Sequence, residues 1–171
     1  MHLNEVFFSF CEIANLYVVN TSSSSAWTDN SQTYARPGAP NASYYYDTFE
    51  LTVPIAGSYI ITSSSGIDTY GYLYNGNFNP TSPALNLLVY DDDSGGDRQF
   101  RFTVSLRPSA TYILVATTYS GNVTGPYTVV VSGLVRVNLV RTSNASTTQT
   151  TPTTAENRWT TETLLTTETS K

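Results

Sequence analysis

"RQFRFTVSL", residues 98–106, alternates throughout: Phe100, Phe102, Val104 and Leu106 fall on one side, Gln99, Arg101, Thr103 and Ser105 on the other. Successive side chains of an extended chain point to opposite faces, so this spelling makes one apolar face as a strand and none as a helix. A strand lying on a core is predicted here. Outward from it the same period recurs. In "YYYDTFELTV" (44–53) Tyr45, Asp47, Phe49, Leu51 and Val53 share a face opposite Glu50 and Thr52, which predicts a half-buried strand. "SYIITSS" (58–64), "DTYGYLY" (68–74), "LNLLVY" (85–90), "TYILVATTY" (111–119) and "PYTVVVSG" (126–133) add five β-branched or aromatic runs bounded by Gly, Pro, Asn or Asp. Strands about ten residues apart, with no helical stretch between them, predict an all-β fold. The expected architecture is an antiparallel β-sandwich of jelly-roll type with about 7–8 strands. No fixed internal period points to blades or a solenoid.

Composition agrees. Of 171 residues 13% are aromatic, thirteen of them Tyr, and only 12% are charged. The net charge of −5 provides no positive field for phosphate backbones or anionic lipid, so a nucleic-acid partner is not expected. No stretch approaches the ~18 to 20 apolar residues that cross a bilayer, so no membrane insertion is expected of this chain. Residues 1–20 read as an irregular or additional N-terminal segment: the apolar run Val6–Phe10 has no Lys or Arg before it, and Glu12 closes it. Residues 21–43 read as a polar, turn-rich lead-in or as part of the module, 44–140 as the sandwich, and 141–171 as a Ser/Thr-rich tail or stalk too poor in apolar residues to fold alone.

His2 is the sole histidine and Cys11 the sole cysteine, which excludes imidazole-based triads, cysteine–histidine pairs, the usual zinc sites and internal disulfides. Carboxylate chemistry remains. "DDDSGGD" (91–97) places Asp93, Ser94 and Gly95 after an apolar run in the order of an aspartic protease, but the like charges of Asp91 and Asp92 would disrupt a dyad that must share one proton. A glycosidase-type pair could be drawn from Glu50 with Asp68 or Asp47, with no spacing that selects it. A calcium cradle is the other reading. Asp91, Asp93 and Asp97 have the spacing of acidic ligands that alternate with residues able to turn carbonyls inward, Asp92 joins them as a candidate, Gly95 and Gly96 allow a sharp bend, and Asp68 opens a neighbouring strand. It is no EF-hand, since Phe102 stands where a bidentate Glu belongs. The plain alternative is a solvated Asp-Ser-Gly-Gly turn that blunts a sheet edge. Asp47, on a core-facing side, needs a partner or a metal and is a weaker metal candidate.

Tyr70, Tyr72 and Tyr74 share one strand face, as a ligand-stacking row or as core packing. Sequons at Asn20, Asn41, Asn122 and Asn144, with the Ser/Thr-rich tail, indicate a glycosylated extracellular protein, secreted or displayed on a surface as part of a larger chain.

The order of these parts, "YYYDTFELTV", "GSYIITSSSGIDTYGYLYN", "NLLVYDDDSGGDRQFRFTVSL" and "ATYILVATTYSGNVTGPYTVVVSG", resembles the bacterial pre-peptidase C-terminal domain and its eukaryotic secreted relatives over Tyr44 to Gly133. The resemblance is carried by Asp47, Gly57 with Tyr59, Asp68 with Leu73 and Tyr74, Asp92 with Asp93, Tyr112, and Gly125 with Tyr127. It implies a secreted, non-catalytic jelly roll, similar to the calcium-stabilised collagen-binding domains of bacterial collagenases. The insertion "NGNFNPTSPALN" (75–86) departs from that pattern, as does the lack of a preceding catalytic domain. The expected function is a non-catalytic extracellular module that binds protein or carbohydrate, with calcium at the Asp loop. The alternatives are a carboxylate-dependent hydrolase and a structural spacer on a glycosylated stalk.

Overall fold

The computed structural model describes residues 17–142. All seven strands read from the periodicity are present: β3 (Tyr44–Thr52), β4 (Gly57–Ser65), β5 (Thr69–Asn75), β6 (Leu87–Asp91), β7 (Arg101–Leu106), β8 (Tyr112–Thr118) and β9 (Gly125–Gly133). Three more join them: β1 (Val19–Trp27), β2 (Thr33–Tyr34) and β10 (Asn138–Thr142). One sheet runs β1-β9-β4-β7 and the other β10-β3-β8-β5-β6, with β2 on the start of β3. The antiparallel pairs β1 with β9, β3 with β8, β4 with β7 and β5 with β6 nest inside one another. That is one long hairpin wrapped into two sheets, the jelly-roll arrangement.

Between the sheets Phe49, Leu51, Ile61, Leu73, Phe100, Leu114 and Val129 are fully buried, and the apolar face of residues 100–106 contributes to this core. Gly71 is needed beneath it, because a Cβ there would stand 2.6 Å from the Phe100 ring. The strand starts later than the alternation suggests. Asp97 and Arg98 take φ of +51° and +62°, so they belong to the turn and pairing starts at Arg101. Gln99, on the face expected to be polar, is buried, and its amide donates to the carbonyls of Ile67, Asp97 and Arg98 at 2.9, 3.2 and 3.0 Å.

β3 is not half-buried but buried on both faces. The outer face of its sheet carries a second cluster of Tyr34, Tyr44, Tyr46, Tyr72, Tyr74 and Val115. Two segments roof it. Phe78, from the insertion, sits edge-on to Tyr34 and Tyr46, and Arg36 and Ala39 come from the segment read as a polar lead-in.

That segment, with Val19 and Asn20 before it, also supplies β1, hidden by its spelling "VNTSSSSAW". Burial alternates along it while hydropathy does not: Thr21, Ser23 and Ser25 face inward with Trp27, and Asn20, Ser22 and Ser24 face out. Hydroxyls suffice inside because this edge meets polar groups. Thr21 Oγ1 accepts from the Val137 N–H at 3.3 Å, and Ser25 donates to Asp47 at 3.0 Å. The tail read over 141–171 starts too early, since Arg141 and Thr142 end β10, paired to Phe49 and Thr48; its remainder from residue 143 onward, with Asn144, lies outside the described residues, as do His2 and Cys11.

Candidate ligand-binding rim

One end of the sandwich gathers the turn after β4, the loop between β6 and β7, and the loop after β8. The loop between β6 and β7 is the acidic stretch. Asp91 closes it: its Oδ1 accepts from Ser94 Oγ at 2.6 Å, and its Oδ2 accepts the N–H groups of Ser94 and Arg101 at 3.0 and 2.8 Å. Behind it Gly96 donates to the Asp93 carbonyl and Gln99 to that of Gly96, both at 2.9 Å, with Gly96 at φ +78°. Asp91 is thus bound up in turn geometry, as an Asx-type side chain commonly is.

Asp68 differs. Its Oδ1 is buried without a hydrogen-bond partner. Burial raises its pKa above the usual carboxylate value, the Asp93 charge adds to the rise and Asp92 contributes further, against the opposing charges of Arg98 and Arg36. The fold therefore brings Asp68 within electrostatic reach of Asp92 and Asp93. It does not bring all five candidates to one point: among the described residues no three His, Cys, Asp or Glu side chains form a metal-holding group. Of the set, Asp68 alone keeps a buried oxygen without a partner, with the charges of Asp93 and Asp92 acting on it.

Asp47 has its partners in the protein. Ser25 and Tyr127 donate hydroxyls to its Oδ2, and Arg141 Nη2 donates to Oδ1 at 2.6 Å. Burial and the Asp47 charge push the Tyr127 hydroxyl well above its ordinary pKa, so it stays a donor. Trp27 stacks on the Tyr127 ring at 3.8 Å.

The tyrosine row divides. Tyr72 and Tyr74 are 1% and 0% exposed, their hydroxyls donating to the carbonyls of Pro37 and Pro83 at 3.3 and 2.8 Å, so these two rings are packing. Only Tyr70 reaches the surface, where two residues outside the row join it: Tyr90 at 58% and Tyr119 at 48% exposure. Tyr90 lies 6.2 Å from Tyr70, ring centre to ring centre.

Beneath the strip lies Arg36, which sequence reasoning missed. Its guanidinium carbon is 4.3, 4.6 and 5.2 Å from the ring centres of Tyr70, Tyr44 and Tyr119. It donates to the Tyr119 carbonyl at 2.9 Å and to the Tyr72 hydroxyl at 3.4 Å. A cation between Ala35 and Pro37 in a polar run gives no periodic signal; a cationic residue in a chain so rich in tyrosine was the available clue.

Fold and rim together define a jelly-roll β-sandwich with an aromatic and acidic end. No family model matches the chain and no curated protein matches it, so the resemblance to the pre-peptidase C-terminal domain rests on motif order alone. Among solved structures it is similar to the K3 cleaved adhesin domain of Lys-gingipain from Porphyromonas gingivalis w83, at a TM-score of 0.34 and 16% identity over 64% of this chain and 73% of that one. A likeness of that size carries no functional argument. No helix among the described residues is long and apolar enough to cross a membrane.

Proposed function

We propose that this is a non-catalytic extracellular module that binds protein or carbohydrate through the strip of Tyr119, Tyr70 and Tyr90. The exposed rings carry the reading. They lie at one sheet end, where the Asp92 charge reaches Tyr70, with Leu85 and Leu88 also exposed close by in sequence, at 58% and 52%. Rigid amphipathic rings give contact area at low entropic cost, and neighbouring carboxylates supply directional acceptors. Display outside the cell is supported by the three described sequon asparagines, Asn20, Asn41 and Asn122, all of which are exposed and open to a glycan. Deglycosylation of the secreted chain should shift its mobility.

Tyr90→Ala with Tyr119→Ala is expected to abolish retention on an array of glycans and matrix proteins. Because both rings are about half exposed, and Arg36 keeps the Tyr70 and Tyr44 faces and the backbone carbonyl of residue 119, stability should fall by only about 1 kcal/mol. Retention unchanged in the double variant would overturn the reading.

Calcium belongs to the same proposal, held between Asp68 and the Asp92–Asp93 pair as a stabiliser of the rim. Ionised Asp68 is disfavoured in the folded state, so its contribution to stability is full below about pH 4 and lost as pH rises through its raised folded value. A bound cation would reverse that penalty at neutral pH. Calcium is therefore expected to raise the melting temperature at pH 7 by several degrees, and Asp68→Asn to be more stable than the parent in EGTA but unresponsive to calcium. An equal response in both chains would place the ion elsewhere, and no response would remove calcium from the proposal.

A further inference from the structure

We infer that the cleft between the β1–β2 turn and the end of β10 binds a neutral saccharide, at a site separate from the tyrosine strip. The cleft has a volume of about 420 Å³ and is walled by Thr28, Asn30 and Ser31 on one side and by Thr48, Arg141 and Thr142 on the other, with Asp47 at the seam. That size falls within the range of small-molecule sites. It opens at the same end of the sandwich as the rim, but Asp47 stands on β3 and Tyr70 on β5, two strands over and so roughly 10 Å away by strand spacing.

The wall chemistry selects the ligand class. Among the described residues Asp47 and Arg141 are the only charged ones lining the cleft, and they neutralise one another at 2.6 Å. With both Asp47 oxygens already accepting from Ser25, Tyr127 and Arg141, no free charge remains to choose an ion. An apolar guest fares no better, since apart from Ala26 and the largely buried Tyr46 the described lining carries hydroxyl, amide, carboxylate and guanidinium groups. A polyhydroxylated neutral ligand matches what is left. The Asn30 side chain is exposed and makes no hydrogen bond among the described residues, and Arg141 is 40% exposed with only Nη2 engaged by Asp47. Amide and guanidinium groups that bond vicinal hydroxyls in pairs are thus available at the cleft, with Thr28 and Ser31 hydroxyls beside them.

The test uses the full chain, labelled for amide NMR, titrated separately with lactose, maltose, cellobiose and chitobiose to about 10 mM, a range that detects weak monovalent binding. At least one is expected to shift amides of residues 28–32, 46–48 and 141–142 saturably. Sialyllactose should bind no better than lactose. Asn30→Ala should weaken binding about tenfold, the loss of one or two hydrogen bonds, without moving the denaturation midpoint. Absence of saturable shifts with all four sugars would overturn the inference. So would shifts confined to the surroundings of Tyr70, Tyr90 and Tyr119, or a synthetic peptide of residues 143–171 shifting the cleft amides where no sugar does.

Discussion

Arg36→Ala is expected to destabilise the protein by about 3 kcal/mol, a fall in melting temperature of about 10 °C for a domain of this size. The side chain is 9% exposed and no carboxylate pairs with it among the described residues, so its charge is held by ring faces and two oxygen acceptors alone. A desolvated guanidinium over tyrosine contributes about 2 kcal/mol, and removing it strips the Tyr119 carbonyl of a donor and opens space beneath Tyr70. Arg36→Lys should recover less than half of the loss, because an ammonium cannot reach two acceptors in a fixed fork while lying flat on a ring. Denaturant midpoint and near-ultraviolet circular dichroism would read both, the latter because the rings that lose order are tyrosines. A midpoint unchanged in Arg36→Ala would mean that the roof over the outer sheet face is held by Phe78 and the proline-containing loop without the cation.

What the sequence conveyed and what it hid divide along a physical line. Strands whose core face is spelled in apolar letters, such as Phe102 to Leu106 or Tyr112 to Ala116, were legible, because burial and hydropathy coincide there. β1 was not legible. Its inward positions are hydroxyls meeting Val137 and Asp47, so its register is set by pairing to β9 along its whole length, from Val19 with Gly133 to Trp27 with Gly125. Period-two reasoning cannot see a strand stabilised chiefly by its neighbour's backbone. The outer cluster was half legible: the tyrosine spelling was plain, but which rings are roofed depends on Arg36 and Phe78, and both come from segments read as loops.

The rim shows the same division. Asp47 was picked out because a carboxylate on an apolar face must be compensated, and the compensation turned out to be Ser25, Tyr127 and Arg141. Spacing alone could not separate Asp91, which caps its own turn through Ser94 and Arg101, from Asp68, whose oxygen lacks a partner.

Asp47→Ala is expected to cost about 3 kcal/mol, and the open question is which partner accounts for it. Arg141 carries the charge, but its side chain is 40% exposed against 9% for Asp47, so solvent screens the pair and truncating Arg141 alone should cost about 1 kcal/mol. Tyr127 is 2% exposed, and without Asp47 its hydroxyl would keep no acceptor but the Ser25 hydroxyl beneath the Trp27 ring. The orphaned hydroxyl, rather than the broken ion pair, should dominate. A double-mutant cycle of Asp47→Ala with Tyr127→Phe is expected to return a coupling of about 2 kcal/mol, and the cycle with Arg141→Met less than half of that. Asp47→Asn, which keeps a carbonyl oxygen for Tyr127 but gives up the charge, should fall nearer the wild type than Asp47→Ala does. The reverse order, with the Arg141 cycle larger, would mean that the cleft end of β10 is fastened by charge, and Arg141 would then be too committed to Asp47 to serve a sugar.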